Sequence, residues 1–230
     1  MLEGYKKLKT WKMEDNITIT PTVLATSEEE YQEKITIINE SPDLEGGWVQ
    51  IDLMDGKFVG NTSVGLEVVE KYPTTLKKEA HLMVENPDAW VEKLAELGFQ
   101  RIIFHVEAGN AQEVLEKIKS YGIETGIALN PETPVAKIEA FVHIIDVVLL
   151  MSVHPGLGGQ EFLPEVLSKV REASNLQGKN HFLIEVDGGV DETDDKQLVE
   201  NGVNILAIGE KLINGDITEN LETIWSSIRS

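Results

Sequence analysis

The sequence predicts an α/β fold, a (β/α)8 barrel, on three observations. Short Val/Ile/Leu-rich runs alternate with segments of helical period along the chain, which argues for parallel strands joined by crossover helices. A pattern of helix end, glycine and short apolar strand recurs at Leu97-Gly98-Phe99, Tyr121-Gly122-Ile123 and Asn201-Gly202-Val203. The length of 230 residues is close to the ~250 typical of such a barrel and long for one sandwich or open sheet.

Eight strand–helix units can be marked out in order. The strands expected are Ile17–Ala25, Trp48–Asp55, Lys78–Val84, Arg101–Glu107, Glu124–Asn130, Val147–Val153, Phe182–Gly188 and Ile205–Gly209. The helices expected are Glu28–Asn39, Ser63–Tyr72, Pro87–Leu97, Ala111–Tyr121, Pro134–Phe141, Pro164–Ala173, Glu192–Asn201 and Asp216–Ile228. Asn86-Pro87 and Thr133-Pro134 read as an N-cap followed by an N1 proline. Gly98, Gly122 and Gly202 read as glycines just past helix ends. No linker or composition shift divides the chain, so residues 17–230 are expected to form a single barrel domain. Residues 1–16 read as an N-terminal extension, an arm or lid across the barrel bottom.

Composition narrows the function classes. The chain carries 20 Lys plus Arg against 40 Asp plus Glu, a net charge of −20, which repels polyanions and argues against nucleic acid or acidic membrane surfaces. It has no cysteine, hence no disulfide, thiolate metal site or thiol nucleophile. No run approaches the ~18 apolar residues of a membrane span, and the polar, lysine-rich start lacks the apolar core of a signal peptide. A soluble protein of the cytoplasm is expected.

In a parallel barrel, functional groups gather where strands end. Those ends hold Thr22, Gln50, Asp52, His81, His105, Glu107, Asn130, Ser152 and Asp187, with methionines Met54, Met83 and Met151. In Val49-Gln50-Ile51-Asp52-Leu53-Met54-Asp55-Gly56, period-two alternation puts Gln50, Asp52 and Met54 on one face and Val49, Ile51 and Leu53 on the other. A carboxylate on a buried strand needs a partner. Asp52, His81 and Asp187 are ligand types that suit a divalent metal, and two facing carboxylates suit acid/base work, one removing a proton and the other returning it. The plainer readings are a satisfied core histidine, turn aspartates before Gly56 and Gly188, and methionines that fill gaps. Glycine loops follow the last three strands: Gly156, Gly158 and Gly159, then Gly188 and Gly189, then Gly209. Their backbone amides suit a phosphate, and ordinary turn glycines are the alternative.

Five motifs together are more specific than any one of them. Val49-Gln50-Ile51-Asp52-Leu53-Met54-Asp55-Gly56-Lys57-Phe58-Val59-Gly60-Asn61, His81-Leu82-Met83-Val84, Phe104-His105-Val106-Glu107-Ala108, the run from Leu150 to Phe162 and Ile184-Glu185-Val186-Asp187-Gly188-Gly189-Val190 occur in order. From about Ile17 onward the chain resembles the ribulose-phosphate 3-epimerase family. The resemblance implies a TIM barrel of the ribulose-phosphate-binding type that epimerises C3 of a ketose phosphate, of the ribulose 5-phosphate/xylulose 5-phosphate kind. It implies Asp52 and Asp187 as catalytic acid/base groups and, with His81, as ligands of a divalent metal: zinc, iron, manganese or cobalt. Met54, Met83 and Met151 would wall the enediolate. Thr22 would take the place of a substrate-contacting serine, and Gly156, Gly158, Gly159, Gly188, Gly189 and Gly209 would line the phosphate site. A homo-oligomer is expected by the same analogy.

Two departures fall at functional positions. Gln50 stands where the family has a fourth ligand, a histidine, so the metal is expected to be weakened or lost. Glu210 stands where the family has serine beside the phosphate, and a carboxylate there would repel a phosphate dianion by ~1 kcal/mol or more unless it points away. Lys57 and Gly60 are lesser changes, from His and Pro. Related barrels that decarboxylate or condense sugar phosphates carry an Asp-x-Lys-x-x-Asp pattern; Asp55-Gly56-Lys57 comes nearest and fails at Gly60. The alternatives are an isomerase or epimerase of another sugar and a degenerate barrel that only binds a ligand.

Overall fold

A computed structural model describes residues 17–178, 180–190 and 192–230. The expected extension, residues 1–16, lies outside the described residues. Eight strands close into an all-parallel barrel in sequential order: β1 Thr18–Val23, β2 Trp48–Met54, β3 Lys77–Met83, β4 Arg101–His105, β5 Glu124–Leu129, β6 Val147–Met151, β7 Leu183–Asp187 and β8 Ile205–Ile208. β8 pairs with β1 through Thr18–Ile205 to Pro21–Ile208, which completes the ring. The helices are α1 Glu28–Glu40, α2 Leu66–Lys71, α3 Asp88–Glu96, α4 Ala111–Ser120, α5 Val166–Gln177, α6 Glu192–Glu200, α7 Glu210–Ile213 and α8 Ile217–Arg229.

Alternation on the strands decides which side chains face the helices. On β2, Val49, Ile51 and Leu53 belong to the main apolar cluster between sheet and helices, each without solvent exposure. Burying each contributes roughly 1.5–3 kcal/mol. The helices answer with residues at helical spacing: Tyr31, Ile35 and Ile38 on α1, and Ala111, Val114, Leu115 and Ile118 on α4. Ser27 caps α1 by accepting from the Glu30 amide at 3.2 Å, and Asp216 caps α8 by accepting from the Glu219 amide at 3.1 Å. Gly98 and Gly122 end α3 and α4 at positive φ, +70° and +71°, as the helix–glycine–strand pattern predicts.

The structure corrects three element expectations. Pro134–Phe141 is not an α-helix: only Val135–Ile138 is helical, as a 3₁₀ turn. Its β-branched Val135 and Ile138, like Val142, Ile144 and Ile145 beyond them, disfavour a longer α-helix. α2 starts at Leu66 rather than Ser63, because the Ser63 hydroxyl accepts from the Met54 amide at 2.9 Å and the Val64 amide donates to Ala25 at 2.9 Å. Those bonds hold the segment against the ends of β1 and β2. α7 lies between the expected strand Ile205–Gly209 and the expected helix Asp216–Ile228, where no element is expected. Among the described residues, no helix is long and apolar enough to cross a membrane.

Candidate active site

Register brings the inward residues together at one end of the barrel. Asp52 on β2 pairs with His81 on β3, Met54 with Met83, and Met151 on β6 with Asp187 on β7. These residues line a cavity of about 960 Å3 that also takes in Thr22, the loop glycines Gly156, Gly158 and Gly159, and Gly188, Gly189 and Gly209. Of the strand-end candidates, Thr22, Asp52, Met54, His81, Met83, Met151 and Asp187 line this cavity with the loop glycines, whereas His105, Glu107, Asn130 and Ser152 do not, and Gln50 sits beneath it, fully buried.

Four polar side chains, Gln50, Asp52, His81 and Asp187, form the floor. The Gln50 carboxamide nitrogen donates to Asp52 Oδ1 at 2.8 Å and to Asp187 Oδ2 at 2.7 Å. His81 Nδ1 donates to Asp52 Oδ1 at 2.9 Å and stands 3.7 Å from Asp187 Oδ2. On its far side, His81 Nε2 meets His105 Nε2 at 3.0 Å, so one proton is shared between the rings. Burial pushes His105 down to about 4, with the neighbouring His81 adding to the effect and Glu107 opposing it. Burial also acts against His81, but Asp52, Asp187 and Glu79 outweigh it and hold His81 above its usual value. His105 in turn has Nδ1 3.5 Å from Glu107 Oε2 and its ring 4.8 Å from that of Phe58. His105 and Glu107 stood among the strand-end residues, and the structure gives them this supporting place behind His81.

Burial, and then the charge of Asp52, push Asp187 up to about 7, against the pull of His81 and Gln50. The Asp187 carboxyl is therefore partly protonated near neutral pH. The apolar wall is Met54, Met83 and Met151, each no more than 4% exposed. At the other end of the cavity the loops pack closely: a Cβ on Gly189 would lie 2.6 Å from the Gln160 carbonyl, and its φ is +61°. Ser152, just past β6, donates to the Gly188 carbonyl at 2.5 Å, and Asn61, in the loop after β2, donates to the Gly156 carbonyl at 2.8 Å, tying these loops to one another.

Below the floor lies a cluster that the sequence reading missed. Glu79 and Glu185 are fully buried inside the barrel, and Arg101 donates to Glu79 at 2.7 Å and through Nε to Glu124 at 2.8 Å. The Trp48 ring sits 4.1 Å from the Arg101 guanidinium. The alternation applied to Asp52 contained the signal, since Glu79 precedes His81 by two residues and Glu185 precedes Asp187 by two.

Asp52, His81 and Asp187 can hold a metal ion, with ligand atoms all within 4.8 Å of one another. A four-coordinate site with ~2.0–2.2 Å bonds separates its ligand atoms by ~3.3–3.6 Å. The 2.9 and 3.7 Å separations from His81 Nδ1 bracket that value, so these three residues fit a divalent ion. Gln50 does not present itself as a fourth ligand: its nitrogen faces the carboxylates, and its Oε1 is buried without a hydrogen-bond partner.

Comparison with known proteins agrees with this geometry. The chain matches the ribulose-phosphate 3 epimerase family over residues 18–213. It is 36% identical over 203 residues to a ribulose-phosphate 3-epimerase of Mycobacterium bovis, with 86% of each chain covered. To the Bacillus subtilis ribulose-phosphate 3-epimerase it is 40% identical over 180 residues, covering 74% of this chain and 83% of that one. Similar solved structures include orotidine 5'-phosphate decarboxylase from Pyrococcus horikoshii OT3 (TM-score 0.63, 13% identity, 93% and 100% coverage) and the tryptophan synthase α-subunit of Pyrococcus furiosus (TM-score 0.62, 16% identity, 94% and 98% coverage). At those identities they speak for the barrel fold alone. The chain belongs to the ribulose-phosphate 3-epimerase family, a family of isomerase-class enzymes.

Proposed function

We propose that the chain epimerises C3 of a ketose phosphate of the ribulose 5-phosphate/xylulose 5-phosphate type by proton transfer between Asp52 and Asp187. The observation that carries this reading is the pair of carboxyls from β2 and β7, drawn together under one cavity by the Gln50 amide. The C3 proton lies next to the C2 carbonyl, so its removal gives an enediolate, and reprotonation from the opposite face inverts C3. Asp187, pushed up to about 7, supplies a proton while Asp52 accepts one, and the reverse reaction exchanges the roles. His81 holds Asp52 in place. The methionine wall keeps water from the enediolate. Asp52, His81 and Asp187 would hold a divalent metal, which when bound supplies Lewis-acid stabilisation of charge developing on the sugar oxygens. Backbone amides of the loops at Gly156, Gly158, Gly159, Gly188 and Gly189 would hold the phosphate.

The test is ribulose 5-phosphate in D2O with Mn, Fe, Co or Zn supplied in turn. Xylulose 5-phosphate with deuterium at C3 is expected; neither epimer nor exchange under any metal removes the proposal.

One observation favours a second reading, an epimerase of a sugar without the phosphate. Glu210 lines the cavity at the loop end, and its Oε1 lies 4.0 Å from where a Cβ on Gly158 would be. Competition by inorganic phosphate against the substrate argues against that reading, and indifference to phosphate favours it.

A further inference from the structure

The Gln50 carboxamide hydrogen-bonds both candidate acid/base carboxyls. Its Nε2 has two hydrogens, and each has an acceptor: Asp52 Oδ1 at 2.8 Å and Asp187 Oδ2 at 2.7 Å. The amide is oriented with its nitrogen toward both carboxyls and its oxygen away from them. The amide is fully buried on β2, with Thr22 of β1 and Glu79 of β3 beside it in register. Its carbonyl oxygen, also buried, bonds to nothing. A buried acceptor left unpaired is unfavourable, so the arrangement stands on the two hydrogen bonds made by the nitrogen.

We propose that Gln50 is a positioning residue that clamps Asp52 and Asp187 together in the metal-free chain, and that a divalent cation must displace this clamp to bind. The clamp and the cation compete for the same carboxyl lone pairs. Two neutral N–H donors do part of what a cation does: they offset repulsion between facing carboxyls and hold them under the cavity. A clamp makes the opposite prediction from a fourth ligand. Removing a ligand weakens metal binding, whereas removing a competitor raises the free energy of the metal-free site and tightens it.

The proposal concerns the carboxyls used in the proposed proton transfer, but its test needs no substrate. If binding behaves as predicted and no sugar is epimerised, the function proposal alone fails. The full chain, chelator-treated, is titrated calorimetrically with Zn2+ near pH 8, where Asp187 is ionised. Gln50→Leu and Gln50→Met keep the volume and remove both donors. They are expected to bind Zn2+ about tenfold more tightly than wild type and to melt earlier without metal. Weaker or unchanged Zn2+ affinity in the variants overturns the proposal. A second readout uses the wild-type chain alone. The Gln50 side-chain amide resonances, slow to exchange with solvent in the metal-free protein, should shift when Zn2+ binds. Fast exchange without metal, or no shift on saturation, overturns the proposal even where neither variant folds.

Discussion

At the scale of single residues, the site is governed by what Asp187 touches. Burial and the charge of Asp52 hold its folded-state pKa near 7, above the ordinary value of 3.8. The folded metal-free chain therefore keeps a proton that the unfolded chain releases between those values. The raised value makes this contribution to stability largest below about 3.8, and it is lost as pH rises through about 7. The expected outcome is a difference between wild type and Asp187→Asn. Chemical denaturation of both metal-free proteins across that range should show wild type losing stability relative to the variant as pH rises. Parallel curves would mean that Asp187 titrates normally. Asp52, His81 and Asp187 could be picked out in the sequence because strand alternation and the end-of-strand rule point to one rim. The bridging role of Gln50 could not, because a glutamine two residues before an aspartate says nothing about which way its amide faces.

At the scale of elements, four strands meet in a charged layer under the floor. Arg101 on β4 reaches Glu79 on β3 and Glu124 on β5, and Glu185 on β7 is pushed well above the carboxylate range by burial and by Glu79, with Arg101 opposing. Replacing Arg101 by Met strands a fully buried carboxylate and is expected to cost about 3–5 kcal/mol of unfolding free energy. Adding Glu79→Gln should recover part of that loss, and an unchanged denaturation midpoint in the single variant would contradict this view of the layer. The strands were legible from apolar runs and the strong helices from their spacing. The fifth crossover was not, since its apolar residues have helical spacing while their β-branching shortens it to a 3₁₀ turn. The Glu79–Arg101–Glu185 layer is not legible as such in the sequence, because charged residues on strands are usually solvated and only closure of the sheet turns these inward.

At the scale of the whole molecule, a net charge of −20 surrounds a cavity proposed to take an anion. Association with a sugar phosphate should then be opposed by the protein's field. Raising ionic strength from ~0.01 to ~0.15 M should increase kcat/KM for ribulose 5-phosphate, because the Debye length shrinks from ~30 to ~8 Å. A fall would indicate a local positive field that dominates at the cavity mouth. In the proposed reaction, two carboxyls on opposite faces of the substrate share the proton transfer. It is tested most directly by following ribulose 5-phosphate in D2O at early times by NMR. Asp187 would deliver a solvent-equilibrated proton to one face while Asp52 removes the substrate's own from the other. Xylulose 5-phosphate is expected fully deuterated at C3 from the first turnovers, while unreacted ribulose 5-phosphate still carries hydrogen there. Product that retains the original hydrogen at C3 would contradict it.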